Sequence, residues 1–136
     1  MIEITNFTAS EFDCPSLKGS GGSMRISTLE MLQKARDLYG KPMKINSGFR
    51  TVQRNKQVGG AANSAHLGGY AIDIASPDKA GLLKALYAAG FRRFGIMATA
   101  IHVDNDPNKN NSVWSYPTTN KTDWQLFGTL EKIKAL

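Results

Sequence analysis

His66 and His102 are the only histidines among 136 residues, and each has an aspartate close behind it: Asp73 seven positions after the first, Asp104 two after the second. Imidazole nitrogens and carboxylate oxygens are ordinary ligands of a divalent zinc ion. Two histidines and one carboxylate fill three positions and leave the fourth to water or substrate, which marks a catalytic rather than a structural site. A lone histidine is more commonly a satisfied core or surface residue, so spacing has to make the case. Between His66 and Asp73 stand Gly68 and Gly69, which let the chain curl tightly and bring both side chains to one point. In the second segment Ile101 and Val103 alternate with His102 and Asp104, so a strand there turns both polar groups to one face. Charge on such a face is costly to bury unless it is paired or coordinated.

These residues need elements to hold them. Ile26, Leu29, Leu32, Ala35 and Tyr39 recur at helical spacing, with Ser23 as the expected cap and Gly40 as the stop. KPMKI, 41–45, reads as a strand ending at the turn residues Asn46, Ser47 and Gly48. A short helix is expected after Thr51, and VGGAANS, 58–64, forms a loop into the first histidine. YAIDIA, 70–75, suits a strand with Ile72 and Ile74 opposite Asp73. Ser76 is the expected N-cap of the next helix, with Pro77 at its first position and Asp78 against the dipole, and that helix runs to Gly90. Residues 91–97 and 100–106 read as two strands joined by a tight turn near Ala98 and Thr99. The segment 107–124 is turn-rich and polar apart from its aromatics, and a last helix is expected over 129–136. Trp114, Tyr116 and Trp124 are expected to lie buried beneath the loop, with a wall of the cleft as the alternative. The order predicts one α+β domain, residues 1–136, with a small, mainly antiparallel sheet and helices packed on one face.

Composition bounds the function. The chain is 41% hydrophobic and 21% charged, a globular balance. Its formal charge of +6 suits an anionic partner in general. Lysine and arginine occur singly or in pairs, however, with no basic helix and no aromatic-basic ladder, which argues against nucleic acid. Cys14, without a second cysteine, is expected to be a buried apolar residue rather than a reactive thiol. The start, MIEITNFTASEFD, lacks the charged and apolar regions of a secretory signal, and no apolar run would span a membrane. The expectation is a chain made in the cytoplasm that acts on the cell wall after release or delivery, or as part of a virion.

S-A-H-L-G-G-Y-A-I-D, residues 64–73, resembles the Ser-x-His-x-x-Gly-x-Ala-x-Asp pattern of the D-alanyl-D-alanine carboxypeptidase family of zinc peptidases. The vancomycin-resistance dipeptidases and the hedgehog signalling domain share the fold of that family. SEFDC (10–14), KPMKINSGFR (41–50), NKQVGGA (55–61), GFRRFGI (90–96) and IHVD (101–104) follow in the family's order, so the resemblance covers about residues 10–104. It implies that His66, Asp73 and His102 bind Zn2+. It also implies that Arg50, closing the SGFR turn, is a catalytic residue facing the substrate's carbonyl or carboxylate, and that Ser64 bonds substrate or stabilises its own turn.

Many members of the family carry an acid three residues before the second histidine, where this chain has Thr99. Asp104 is then the best remaining proton carrier, its alternative role being to orient His102. The resemblance implies zinc-dependent hydrolysis of peptidoglycan stem peptides, of D-Ala-D-Ala carboxypeptidase or endopeptidase type, by a monomer or a component of a bacteriophage particle. The alternative is a weak or inactive metal-binding module that holds wall peptide in a larger assembly.

Overall fold

The computed structural model describes residues 4–136. Five strands, β1 (Lys44–Ser47), β2 (Ala71–Ala75), β3 (Arg93–Ile96), β4 (Ala100–Asp104) and β5 (Ser112–Ser115), form one sheet in the order β1-β2-β4-β3-β5. All neighbours are antiparallel except β3 and β5, which run parallel. The expected α+β architecture is the one observed. The helices are α1 (Ile26–Tyr39), α2 (Val52–Gln57), α3 (Lys79–Ala89), α4 (Lys121–Phe127) and α5 (Leu130–Lys134). The long helices α1 and α3 pack together over the apolar face of the sheet, with α5 against α3. Among the described residues no helix is long and apolar enough to cross a membrane.

Alternation fixes the register. Ile72, Ile74, Phe94, Ile96, Ile101 and Val103 are completely buried against Leu82, Leu83 and Leu86 of α3. Each such side chain contributes roughly 1.5–3 kcal/mol on burial. A one-residue slip would turn the whole set outward and drive Asp73 and His102 into the core. The site face is therefore specified from the opposite side of the sheet.

Several boundaries differ from the sequence expectation. Ser23 does not cap α1: it ends a 3-10 turn, Ser20–Ser23, and Arg25 takes the N-cap place without a side-chain bond. The Asp13 carboxylate organises that turn instead, accepting from the amides of Gly19 and Gly21. Asp78 rather than Ser76 caps α3, accepting from the Gly81 amide, while the Ser76 amide continues the β2–β4 pairing to the Thr99 carbonyl. The first strand is displaced from 41–45 to 44–47 and carries a bulge between Ile45 and Ser47, which sets Ser47 opposite Asp73. The segment expected to be loop contains β5 and the first turn of α4, which Asn120 caps. Cys14 is buried as expected; burial pushes its pKa up, and hydrogen bonds from the hydroxyls and backbone amides of Ser16 and Thr51 outweigh this and lower it to about 7. Thr51 lies 37 residues away in sequence, so only the fold reveals that contact.

Candidate metal centre and cleft

The polar face of the sheet carries one continuous cross-strand row. Ser47 pairs with Asp73, Asp73 with His102, His102 with Gly95, and Gly95 with Trp114, so five strands each place one residue in line. His66 joins the row from the loop before β2. That loop turns at Gly69, whose φ is +77° and whose missing side chain leaves room for the Ser23 carbonyl, 2.3 Å from where a Cβ would stand. The Arg25 amide then bonds the Gly69 carbonyl at 2.9 Å, tying the histidine loop to the start of α1.

One ligand atom each from His66, Asp73 and His102 lies within 4.8 Å of the others. The ring protons are set by the bonds on the far side of each imidazole. His66 Nδ1 faces the Gly48 carbonyl at 2.7 Å and must donate to it, leaving the Nε2 lone pair toward Asp73 Oδ1 at 3.2 Å. His102 Nε2 faces Asp104 Oδ2 at 2.7 Å, leaving Nδ1 toward the same Asp73 oxygen at 2.9 Å. In neutral imidazoles these are two lone pairs and one anionic oxygen aimed at a common point, an arrangement that calls for a cation. The donor set fits a divalent ion of the zinc class.

The electrostatics show the same demand for positive charge, which His102 meets in its protonated, imidazolium form. Burial opposes ionisation of Asp73, but hydrogen bonds from His102 and His66 outweigh it and hold the carboxyl well below the usual range. Burial likewise depresses His102, and Asp104 and Asp73 overcome it and raise its pKa. Asp104 stays ionised for the same kind of reason: burial is opposed by the His102 bond and charge and by Arg93. Asp104 is only 1% exposed and accepts from His102 Nε2, Arg93 Nε and the Asp106 amide.

The remaining sequence candidates border the same space, a cleft of about 490 Å³. Arg50 donates from NH1 to Asn55 Oδ1 at 3.0 Å and from NH2 to Ser47 Oγ at 3.4 Å, with NH2 3.8 Å from Asp73 Oδ2. Its guanidinium is thus held beside the three clustered groups. Asn55, nearly buried, is fixed in turn by its bond to the Ala61 carbonyl. Ser64 lines the cleft, and its hydroxyl accepts from the His66 amide at 3.3 Å. Thr99 is exposed and lines an adjoining recess instead. Trp114 and Tyr116 form a wall of the cleft, contrary to the expected burial beneath a loop, while Trp124 stands 37% exposed and away from it. The Trp114 ring packs against His102 with centroids 5.2 Å apart. Arg93, Asn55 and Lys109 escaped the sequence reading. GFRRF offered two equivalent arginines, and only the strand register puts Arg93 opposite Asp104.

The sequence profile of the Peptidase M15 family matches residues 5–105. The Zinc D-Ala-D-Ala carboxypeptidase of Streptomyces albus G is 38% identical over 78 residues, which cover 51% of this chain and 31% of that protein. The matched stretch thus spans about a third of the relative's length.

Proposed function

Because the chain belongs to the Peptidase M15 family, we propose that it is a zinc peptidase of peptidoglycan stem peptides, with the ion held by His66, Asp73 and His102. The observation that carries this reading is the convergence of two oriented imidazole nitrogens and one carboxylate oxygen on the floor of an open cleft. Zinc bound there would polarise a scissile carbonyl and supply a water whose pKa lies near 7.

The protein's own residues do the rest. Arg50, braced by Asn55 and Ser47, orients a carbonyl or carboxylate of the peptide through its planar fork. Ser64 holds the histidine loop in shape and offers its hydroxyl to the substrate chain. Asp104 fixes the tautomer and tilt of His102. Lys109 also lines the cleft and adds positive charge suited to the carboxylates of a stem peptide, whereas the charge of Arg93 is matched by Asp104. Beyond Asp73 a second recess, lined by Asn46, Ser47, Thr99 and Thr118, leaves room for chain on both sides of the ion. This supports cleavage within a stem peptide as well as trimming of a terminal D-Ala-D-Ala. Delivery to the wall by a bacteriophage, as a free lysin or on the particle, remains part of this proposal.

One observation favours a second reading, a module that grips wall peptide without cutting it. Asp73 and Asp104 are the only carboxylates lining the cleft among the described residues, and both are engaged. Digestion of purified peptidoglycan by zinc-loaded protein and by His66→Ala, with mass spectrometry of released peptides, separates the two. Stem peptides from the wild type alone are expected; equal product from both removes the peptidase reading, and none from either leaves the binding module.

A further inference from the structure

The cleft is short of free acids but not of free donors. Gly95 sits in the cross-strand row between His102 and Trp114. On its open side three atoms crowd the place a side chain would take: a Cβ there would stand 2.6 Å from Tyr116 Cε2 and 2.8 Å from both Tyr116 Oη and Trp114 Nε1. The phenol and the indole N–H therefore meet directly over the glycine, beside His102 and facing the cleft they line. Nothing larger than glycine is compatible with that meeting. The Tyr116 backbone is pinned as well, its amide donating to Thr119 Oγ1 at 2.8 Å, while the Thr119 hydroxyl donates to the Ile96 carbonyl.

We propose that the Tyr116 hydroxyl, positioned by Gly95 and Trp114, is a catalytic residue that donates a hydrogen bond to the carbonyl oxygen of the scissile amide as that oxygen becomes negative. The inference rests on the peptidase reading above. In hydrolysis the water oxygen bonds to the carbonyl carbon, the C–N bond breaks, and the leaving nitrogen takes up a proton from the water. Negative charge builds on the carbonyl oxygen between the first event and the second. A preplaced neutral donor favours that moment over the ground state. Tyr116 meets the requirement: it lines the cleft, and its hydrogen-bond partner there, the Trp114 indole N–H, can only donate, which leaves the phenol's own proton for substrate. It also keeps its proton at neutral pH, since burial raises its pKa, Trp114 works against that, and Asp73 and Asp104 add to it.

The test uses the pentapeptide L-Ala-D-Glu-L-Lys-D-Ala-D-Ala and its phosphinate isostere at the cleaved bond, with zinc-loaded wild type, Tyr116→Phe and Gly95→Ala. Tyr116→Phe is expected to lower kcat by roughly 10²–10³-fold and to weaken phosphinate binding by calorimetry in step, with KM, zinc affinity and melting temperature near wild type. Gly95→Ala keeps both donors but forces them apart, and is expected to lose kcat comparably. A Tyr116→Phe enzyme within about threefold of wild type, or one whose losses follow its zinc content with phosphinate affinity unchanged, overturns the proposal. A wild type that neither cleaves the pentapeptide nor binds the phosphinate removes the peptidase reading and this inference together. An active wild type with an indifferent Tyr116→Phe removes this inference alone.

Discussion

Asp104→Asn separates the two roles open to that residue. The native carboxylate takes charge-assisted bonds from His102 Nε2 and Arg93 Nε, both at 2.7 Å, in a site 1% exposed. Asparagine keeps the shape but has one acceptor oxygen, so at best one of these bonds survives, as a bond to a neutral group. Two bonds worth about 1.5–3 kcal/mol each give way to one worth about 0.5–1.5 kcal/mol. Arg93 is partly exposed and recovers some hydration, so the lower end applies, about 2 kcal/mol. At about 4 °C per kcal/mol for a chain of this size, the melting temperature of the metal-free protein should fall by roughly 8 °C. If the new amide nitrogen faces His102, the ring must accept at Nε2 and carry its proton on Nδ1, where the ion belongs. Zinc affinity, measured by competition with a chelating dye, should then drop by about 10–100-fold, and saturating zinc should restore most of the turnover. A variant with wild-type zinc affinity and melting temperature but a kcat lowered by about 10³-fold would refute the orienting role and assign proton transfer to Asp104 itself.

Arg50→Lys keeps the charge but not the fork that spans Asn55 and Ser47; kcat/KM should fall about 10²-fold at unchanged zinc affinity, and an unaltered value would remove Arg50 from the substrate's path. Ile101→Ala opens a cavity behind the metal row and should cost about 2–5 kcal/mol in urea unfolding, a loss below about 1 kcal/mol contradicting the close packing inferred for that layer. Backbone bonds from Gly19 and Gly21 lower the pKa of Asp13, so the folded value lies beneath the unfolded one of about 3.9. Its stabilising contribution is therefore complete at neutral pH and disappears as pH falls from about 4 through the folded pKa. The stability gap between wild type and Asp13→Asn should close on acidification, and a gap that widened would reverse the argument.

The parts of this molecule legible in the sequence are those where local pattern and tertiary need coincide. Ile72 and Ile74 around Asp73, and Ile101 and Val103 around His102, alternate because each strand separates a core face from a site face, and the structure pairs those two strands residue for residue. The short helix after Thr51 is legible because its cap is local, the Thr51 hydroxyl accepting from the amide three residues on. Where the partner is distant, the local signal misleads. Ser23 has the right chemistry to cap α1, yet Asp13 had already organised that turn from ten residues away. Ser112–Ser115 alternates too weakly to announce a strand, and owes its pairing to β3, a parallel neighbour reached by a long excursion. Of the cleft, the two histidines are the chain's only ones, and Asp73 stands out by its spacing from the first across two glycines. Asn55, Arg93 and Tyr116 are common types whose significance comes only from register and from the space over Gly95.

The cross-strand row divides labour along its length. Asp73 and His102 occupy inner strands, hydrogen-bonded on both flanks, whereas Trp114 stands on β5 at the margin, held on one flank only. Amide exchange should therefore be slowest beneath the ligands and faster beneath the aromatic wall. Substitutions that retune which peptide is accepted can accumulate at that margin, since they leave untouched the inner pair proposed to hold the ion.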